Sequence, residues 1–161
     1  EAMMLSDLTL RKAIEFAVKT EEAGELFYTK MARRFEGNEE VSKIFTALAL
    51  DEKAHHETFS RWLAEVPEEP ALKSQRERLA VLRAMSMSEF FLGEDGIFKN
   101  LEGIETGQDA IRRAYRLEKD TLGYYLAMKE ILGASELLDK LIRAEEGHLT
   151  AVARYLDNEG D

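Results

Sequence analysis

Two short motifs, each with a glutamate three residues before a histidine, carry the clearest chemical potential in this 161-residue chain. The first motif pairs Glu52 with His55, and the second pairs Glu145 with His148. Residues three positions apart share one face of an α-helix. In both motifs that face is otherwise apolar, so the charged groups would lie in a hydrophobic core and need a partner or a metal ion. Each motif is therefore a candidate metal site.

An internal repeat adds two further glutamates to these motifs. When the first predicted helix is aligned with the third, Glu21 falls on Glu118 and Tyr28 falls on Tyr125. When the second is aligned with the fourth, the two Glu-x-x-His motifs fall on each other. The repeat predicts a pseudo-twofold bundle whose axis passes through a site of four glutamates and two histidines.

Such a site has the charge and donor types for two divalent cations. Four ionised carboxylates carry the charge that two divalent ions neutralise, and two neutral imidazoles complete the set. Without metal, the carboxylates would repel one another and several would take up protons. Oxygen-rich ligation with one imidazole per ion suits iron or manganese better than copper or a closed structural zinc site.

Composition excludes several other classes of site. The chain has no cysteine, which removes disulfides, zinc ribbons, iron–sulfur ligation and thiol catalysis. Its net charge of −10 argues against a nucleic-acid groove. There is no apolar run long enough for a membrane span and no secretory signal, so we expect a cytoplasmic protein without membrane association.

Helical periodicity predicts one domain over residues 1–161, with four long helices at about 7–35, 39–65, 108–132 and 135–157. The expected capping or opening residues are Ser6 or Thr9, Asn38, Gln108 or Asp109, and Ser135. Long helices joined by short turns pack antiparallel. Residues 66–106 are expected to form a long crossover containing one or two short helices.

The crossover has more apolar residues than one small bundle needs. These residues are Phe90, Phe91, Ile97 and Phe98. A homodimer, with or without exchange of helices between the subunits, would bury them. We therefore expect the chain to form a homodimer.

The chain resembles the rubrerythrin-like branch of the ferritin-like di-iron carboxylate proteins. The resemblance covers the four helices and rests on the two Glu-x-x-His motifs, Glu21 with Tyr28, and Glu118 with Tyr125. It implies an all-α, ferritin-like antiparallel four-helix bundle, in which a long crossover joins one up-down helix pair to the other.

The resemblance also implies a role for each candidate ligand. Glu52 and Glu145 would bridge two iron ions, Glu21 and Glu118 would be terminal ligands, and His55 and His148 would bind one iron each. The implied activity is reduction of peroxide or dioxygen by a non-haem di-iron oxidoreductase.

Two departures from rubrerythrins proper bear on that activity. Thr121 stands where they carry an additional glutamate, and the missing cysteines leave no rubredoxin domain in this sequence. Electrons would then come from an external donor protein or a small reductant. Three alternatives stay open: iron handling as a ferroxidase, delivery or sensing protein; a di-manganese, catalase-like use; and a structural bundle with a vestigial site. Manganese or a mixed-metal pair is also compatible with the predicted ligands.

Other polar residues near the motifs have simpler interpretations. His56 is expected to be a rim or packing residue, because its repeat partner is Leu149. Tyr28 and Tyr125 are core residues whose hydroxyls can hydrogen-bond the ligands. The acidic residues that flank the ligands are expected to be ordinary solvated positions; they are Glu22, Glu25, Asp51 and Glu146.

Overall fold

The computed structural model describes residues 10–66, 101–132 and 136–158. Within these ranges the chain forms four long helices, which are α1 (Leu10–Arg34), α2 (Glu39–Glu65), α3 (Gly107–Leu132) and α4 (Glu136–Asn158). α1 packs along α2 and α3 packs along α4, while sparser contacts join α1 to α3 and α2 to α4. This arrangement confirms the predicted all-α ferritin-like bundle.

A short turn at residues 35–38 reverses the chain between α1 and α2. Asn38 has an extended backbone, and its side-chain oxygen accepts a hydrogen bond from the Val41 backbone N–H at 3.3 Å. Asn38 is therefore the N-cap of α2, as its residue type predicts. A connection this short makes α1 and α2 antiparallel neighbours.

The start of α3 corrects one expectation. Neither Gln108 nor Asp109 opens the helix, which begins at Gly107. The Thr106 hydroxyl accepts a hydrogen bond from the Asp109 N–H at 3.1 Å, and the Asp109 carboxylate accepts one from the Thr106 N–H at 3.0 Å. This reciprocal pair is a capping box with Thr106 as the cap. The hydrogen bond from the Thr106 backbone N–H, together with the Thr106 side chain, holds the pKa of Asp109 below its ordinary value.

The described core consists of two apolar clusters separated along the bundle. One contains Tyr28, Phe45, Ile111 and Val152, among others. The other contains Ile14, Phe59, Tyr125 and Leu138, among others. On each helix the candidate ligands lie between residues of one cluster and residues of the other. Apolar packing therefore encloses the polar centre of the bundle at both ends.

Just before α3, Leu101–Gly103 forms a 3₁₀ turn that Arg34 ties to the end of α1. The Arg34 guanidinium donates to the backbone carbonyl of Leu101 at 3.0 Å and to that of Ile104. Ile104 is buried in the first apolar cluster. These contacts fix how the chain enters α3.

Several expectations fall on residues outside the described ranges. They concern the caps Ser6, Thr9 and Ser135, the short crossover helices, and the apolar residues Phe90, Phe91, Ile97 and Phe98. Among the helices that are described, none is both long enough and apolar enough to cross a membrane.

Candidate metal centre

The six candidate ligands converge at the middle of the bundle, and every long helix contributes at least one. Glu21 lies on α1, Glu52 and His55 on α2, Glu118 on α3, and Glu145 and His148 on α4. All four glutamates are at most 3 % exposed. Four buried carboxyl groups in one core require neutralisation, by protons or by cations.

The ligand atoms form two overlapping groups. One contains Glu21, Glu52, His55 and Glu145, and the other contains Glu52, Glu118, Glu145 and His148. Within each group the ligand atoms lie within 4.8 Å of one another. Glu52 and Glu145 belong to both groups. Two adjacent ions that share two carboxylates would suit this arrangement.

Both imidazoles direct Nδ1 at the carboxylates. His55 Nδ1 lies 2.9 Å from Glu145 Oε1 and 3.6 Å from Glu21 Oε2. His148 Nδ1 lies 3.5 Å from Glu118 Oε2 and 3.6 Å from Glu145 Oε2. The two rings are 6.0 Å apart between centroids and 28° from parallel. Glu145 therefore lies between the two histidines.

Many of these buried atoms have no hydrogen-bond partner among the described residues. They are both oxygens of Glu21 and of Glu145, Oε2 of Glu118, and Nδ1 of His55 and His148. The close approach of His55 to Glu145 lacks hydrogen-bond geometry. A buried polar atom left unsatisfied costs about 1–3 kcal/mol. Carboxylate oxygens and imidazole nitrogens are metal ligands, so this donor set fits a metal centre.

The carboxyl groups have strongly perturbed acidity. Burial, together with neighbouring carboxylates, raises the pKa of Glu21, Glu52 and Glu118 well above the ordinary 4.5. Burial would also raise the pKa of Glu145, but Glu118 and the two histidines outweigh it and lower that pKa. In the absence of metal, the centre therefore retains protons on some carboxyl groups and a charge on Glu145.

The pKa values of both histidines are raised, which favours the charged imidazolium form. Burial lowers the pKa of each imidazole, but carboxylate neighbours more than compensate. Contact with Glu145 raises the pKa of His55, and Glu118 with Glu145 raises the pKa of His148 to about 12. A cation that binds Nδ1 must displace a proton, so metal binding and proton release are coupled at this centre.

The two tyrosines related by the repeat differ in their contacts. The Tyr28 hydroxyl donates a hydrogen bond to Glu118 Oε1 at 2.7 Å. Burial and the Glu118 charge raise the pKa of Tyr28, which keeps it protonated and able to donate. The Tyr125 hydroxyl is buried and has no hydrogen-bond partner in the described part of the chain. Tyr28, but not Tyr125, makes the ligand contact considered from the sequence.

Asp51 is a residue of the centre that sequence reasoning missed. Its Oδ2 lies 2.7 Å from His148 Nε2, although more than half of its side chain is exposed. The expectation of an ordinary solvated position is therefore corrected. The repeat carried no signal for this contact, because Ala144 occupies the matching position. Asp51 lies on α2 and His148 on α4, so only helix packing brings them together.

Gly24 was also missed, and it lies against the carboxyl group of Glu52. It is buried one turn after Glu21. A Cβ atom there would lie 3.4 Å from Glu52 Oε2 and 3.5 Å from the carboxyl carbon. Glu52 therefore packs directly against the bare backbone of α1. The matching position on α3 is Thr121, which is also buried.

His56 lies outside both ligand groups. It is partly exposed, and its Nδ1 lies 4.0 Å from Oε2 of the partly exposed Glu25. Its partial exposure, outside both ligand groups, makes His56 a rim residue.

Comparison with known proteins identifies one family. The family model described as Rubrerythrin matches residues 12–156, which is most of the chain. A search of curated proteins and a search of solved structures each found no significant match. The matched range covers nearly all of the four helices of the bundle and every residue of the candidate centre.

Proposed function

Because the chain belongs to the rubrerythrin family of di-iron proteins, we propose that it is an oxidoreductase that reduces peroxide or dioxygen with electrons from an external donor. The observation that carries this proposal is the pair of overlapping ligand groups sharing Glu52 and Glu145. A structural bundle would not accumulate four buried carboxyl groups, because each costs desolvation energy without a compensating partner.

In this proposal each ion has one terminal carboxylate and one imidazole. Glu21 and His55 would hold the first ion, Glu118 and His148 would hold the second, and Glu52 and Glu145 would contact both. The assignment leaves four carboxylates to neutralise two divalent cations. It also gives a partner to each buried carboxylate oxygen and imidazole nitrogen that has no hydrogen bond among the described residues.

Bound iron would supply the electron transfer, since a ferrous pair holds the two electrons needed to reduce hydrogen peroxide to water. The protein contributes a dry, enclosed position and fixed ligands. Tyr28 holds Glu118 in place, and Asp51 holds Nε2 of His148 so that Nδ1 faces the metal position. The apolar clusters on both sides limit the access of water.

The external donor would be a protein or a small reductant, because the sequence has no cysteine for an iron–sulfur centre. We also propose that the protein works in the cytoplasm and as a homodimer. Size-exclusion chromatography with light scattering tests the oligomeric state. Donor proteins can be tested by following reoxidation of the reduced donor in the presence of peroxide.

The primary test is metal stoichiometry with a matched pair of variants. The unmodified protein, loaded anaerobically with ferrous iron, should hold two irons per chain, and Glu52→Ala should lose stoichiometric binding. Glu57→Ala is the control, because Glu57 is an exposed carboxylate on the same helix. Two irons retained by Glu52→Ala would refute the site assignment. Peroxide consumption no faster than with free iron would refute the peroxidase activity.

Iron handling without dedicated turnover is the second candidate, and Thr121 favours it. A buried threonine stands where rubrerythrins proper have an additional glutamate, so a ligand associated with their redox chemistry is missing. A ferroxidase, delivery or sensing role predicts iron uptake beyond two per chain or a partner that binds only the metal-loaded form. Iron titration followed by a pull-down in both metal states distinguishes the two candidates.

A further inference from the structure

The two halves of the centre differ in the residues behind their ligands, although the repeat makes the ligands themselves equivalent. Asp51 Oδ2 lies 2.7 Å from His148 Nε2. The position that matches Asp51 in the other half is Ala144, whose side chain has no hydrogen-bond acceptor for His55. Among the described residues, the contact between Nε2 of a ligand histidine and a carboxylate behind it is therefore recorded at His148.

The Asp51 contact orients His148 so that its Nδ1 faces the carboxylates of the centre. His148 Nε2 faces Asp51, while Nδ1 faces Glu118 and Glu145. When a cation displaces the proton of Nδ1, Nε2 keeps its proton and can donate a hydrogen bond to Asp51. Rotation of the ring would break this contact, so Asp51 also holds the ring orientation.

The terminal carboxylate in the same half is also held. Tyr28 donates to Glu118 Oε1 at 2.7 Å, which leaves Oε2 directed at His148 Nδ1 at 3.5 Å. In the other half, neither oxygen of Glu21 nor the hydroxyl of Tyr125 has a hydrogen bond from the described residues. One half of the centre is thus held in its binding geometry, and the other is less restrained.

From this asymmetry we propose that the two metal positions are inequivalent and that the Glu118–His148 position binds its ion more tightly and fills first. Ligands already fixed in the binding geometry lose less conformational freedom when the ion arrives. Asp51 acts as a positioning residue through His148. The inference rests on the proposed two-metal function and adds an order of filling to it.

Cobalt(II) alone is the probe. Its binding is measured by calorimetry and by its visible absorption. The unmodified protein should bind two ions with clearly different dissociation constants. Asp51→Asn should weaken the tighter event by roughly 10–100-fold and leave the weaker one unchanged. Asp51→Glu, which keeps a carboxylate, should restore part of the loss. Glu146→Gln is the charge-matched control, since Glu146 is exposed beside a ligand and should leave both events unchanged.

Variants of the two histidines show which metal position gives rise to each cobalt-binding event. In a His148→Ala background, Asp51→Asn should have no further effect, whereas in a His55→Ala background it should keep its full effect. Two equal constants in the unmodified protein would overturn the inference and leave the proposed function intact. An Asp51→Asn effect no larger than that of Glu146→Gln would do the same. No cobalt binding at all would remove the proposed function and this inference with it.

Discussion

Tyr28 on α1 donates a 2.7 Å hydrogen bond to Glu118 on α3, so it links the two halves of the repeat across the bundle. Tyr28→Phe should lower the free energy of unfolding of the metal-free protein by about 1–3 kcal/mol, because it leaves a buried acceptor unpaired. Tyr125→Phe should have little effect, since its hydroxyl has no partner among the described residues. Urea unfolding of both variants tests this, and equal losses would contradict the difference between the two tyrosines.

Gly24 and Gly147 are both helical glycines, but their surroundings differ. A Cβ at Gly147 would meet nothing within 4 Å, so Gly147→Ala should stabilise the metal-free protein by about 0.5–1 kcal/mol through helix propensity. Gly24→Val should instead push its side chain against Glu52, whose Oε2 lies 3.4 Å from the Cβ position.

We expect Gly24→Val to lose stoichiometric metal binding while remaining helical, and Gly147→Ala to bind metal normally. Metal analysis and circular dichroism of both variants provide the measurement. Normal metal content in Gly24→Val would mean that Glu52 does not need the space beside Gly24.

The stability of the metal-free protein should fall as the pH rises from about 5 to 8. The raised pKa values of Glu21, Glu52 and Glu118 mean that the folded state retains protons that the unfolded state releases above the ordinary value of 4.5. His55 and His148 act in the same direction above 6.5. Stability is therefore lost with increasing pH throughout this range.

Melting temperatures measured across that range test the prediction. Glu21→Gln, which removes one of the titrating groups, should show a shallower decline. The melting temperature of the metal-loaded protein should also depend less on pH, because the cations replace the protons. A metal-free melting temperature that rises towards pH 8 would contradict the assigned pKa directions.

Arg34 should control how firmly the segment before α3 is attached to α1. Its guanidinium donates to the carbonyls of Leu101 and Ile104, so Arg34→Ala should destabilise the protein by about 1 kcal/mol. Hydrogen exchange should accelerate locally in residues 101–106. Arg33→Ala is the control, because Arg33 is an exposed neighbour in the same helical turn. Unchanged exchange in Arg34→Ala would show that these hydrogen bonds do not restrain the segment.

The sequence by itself determined the four helices and predicted which six residues the structure brings together at the candidate centre. Helix formation and the pairing of Glu52 with His55 depend on local spacing, because positions three apart share a face whatever the tertiary structure. The repeat extended this reasoning to Glu21 and Glu118, since equivalent helices in a pseudo-symmetric bundle direct equivalent positions inward. Among the helix starts that the structure describes, that of α3 differed from the prediction, because Thr106 rather than a later residue is its cap.

Only the tertiary structure decided how residues of different helices meet. Asp51 contacts His148, Tyr28 contacts Glu118, and the symmetry-related Ala144 and Tyr125 make no matching contacts among the described residues. Such contacts depend on the axial offset and rotation of one helix against another. Those quantities result from packing over the whole bundle, and no spacing within a single helix encodes them.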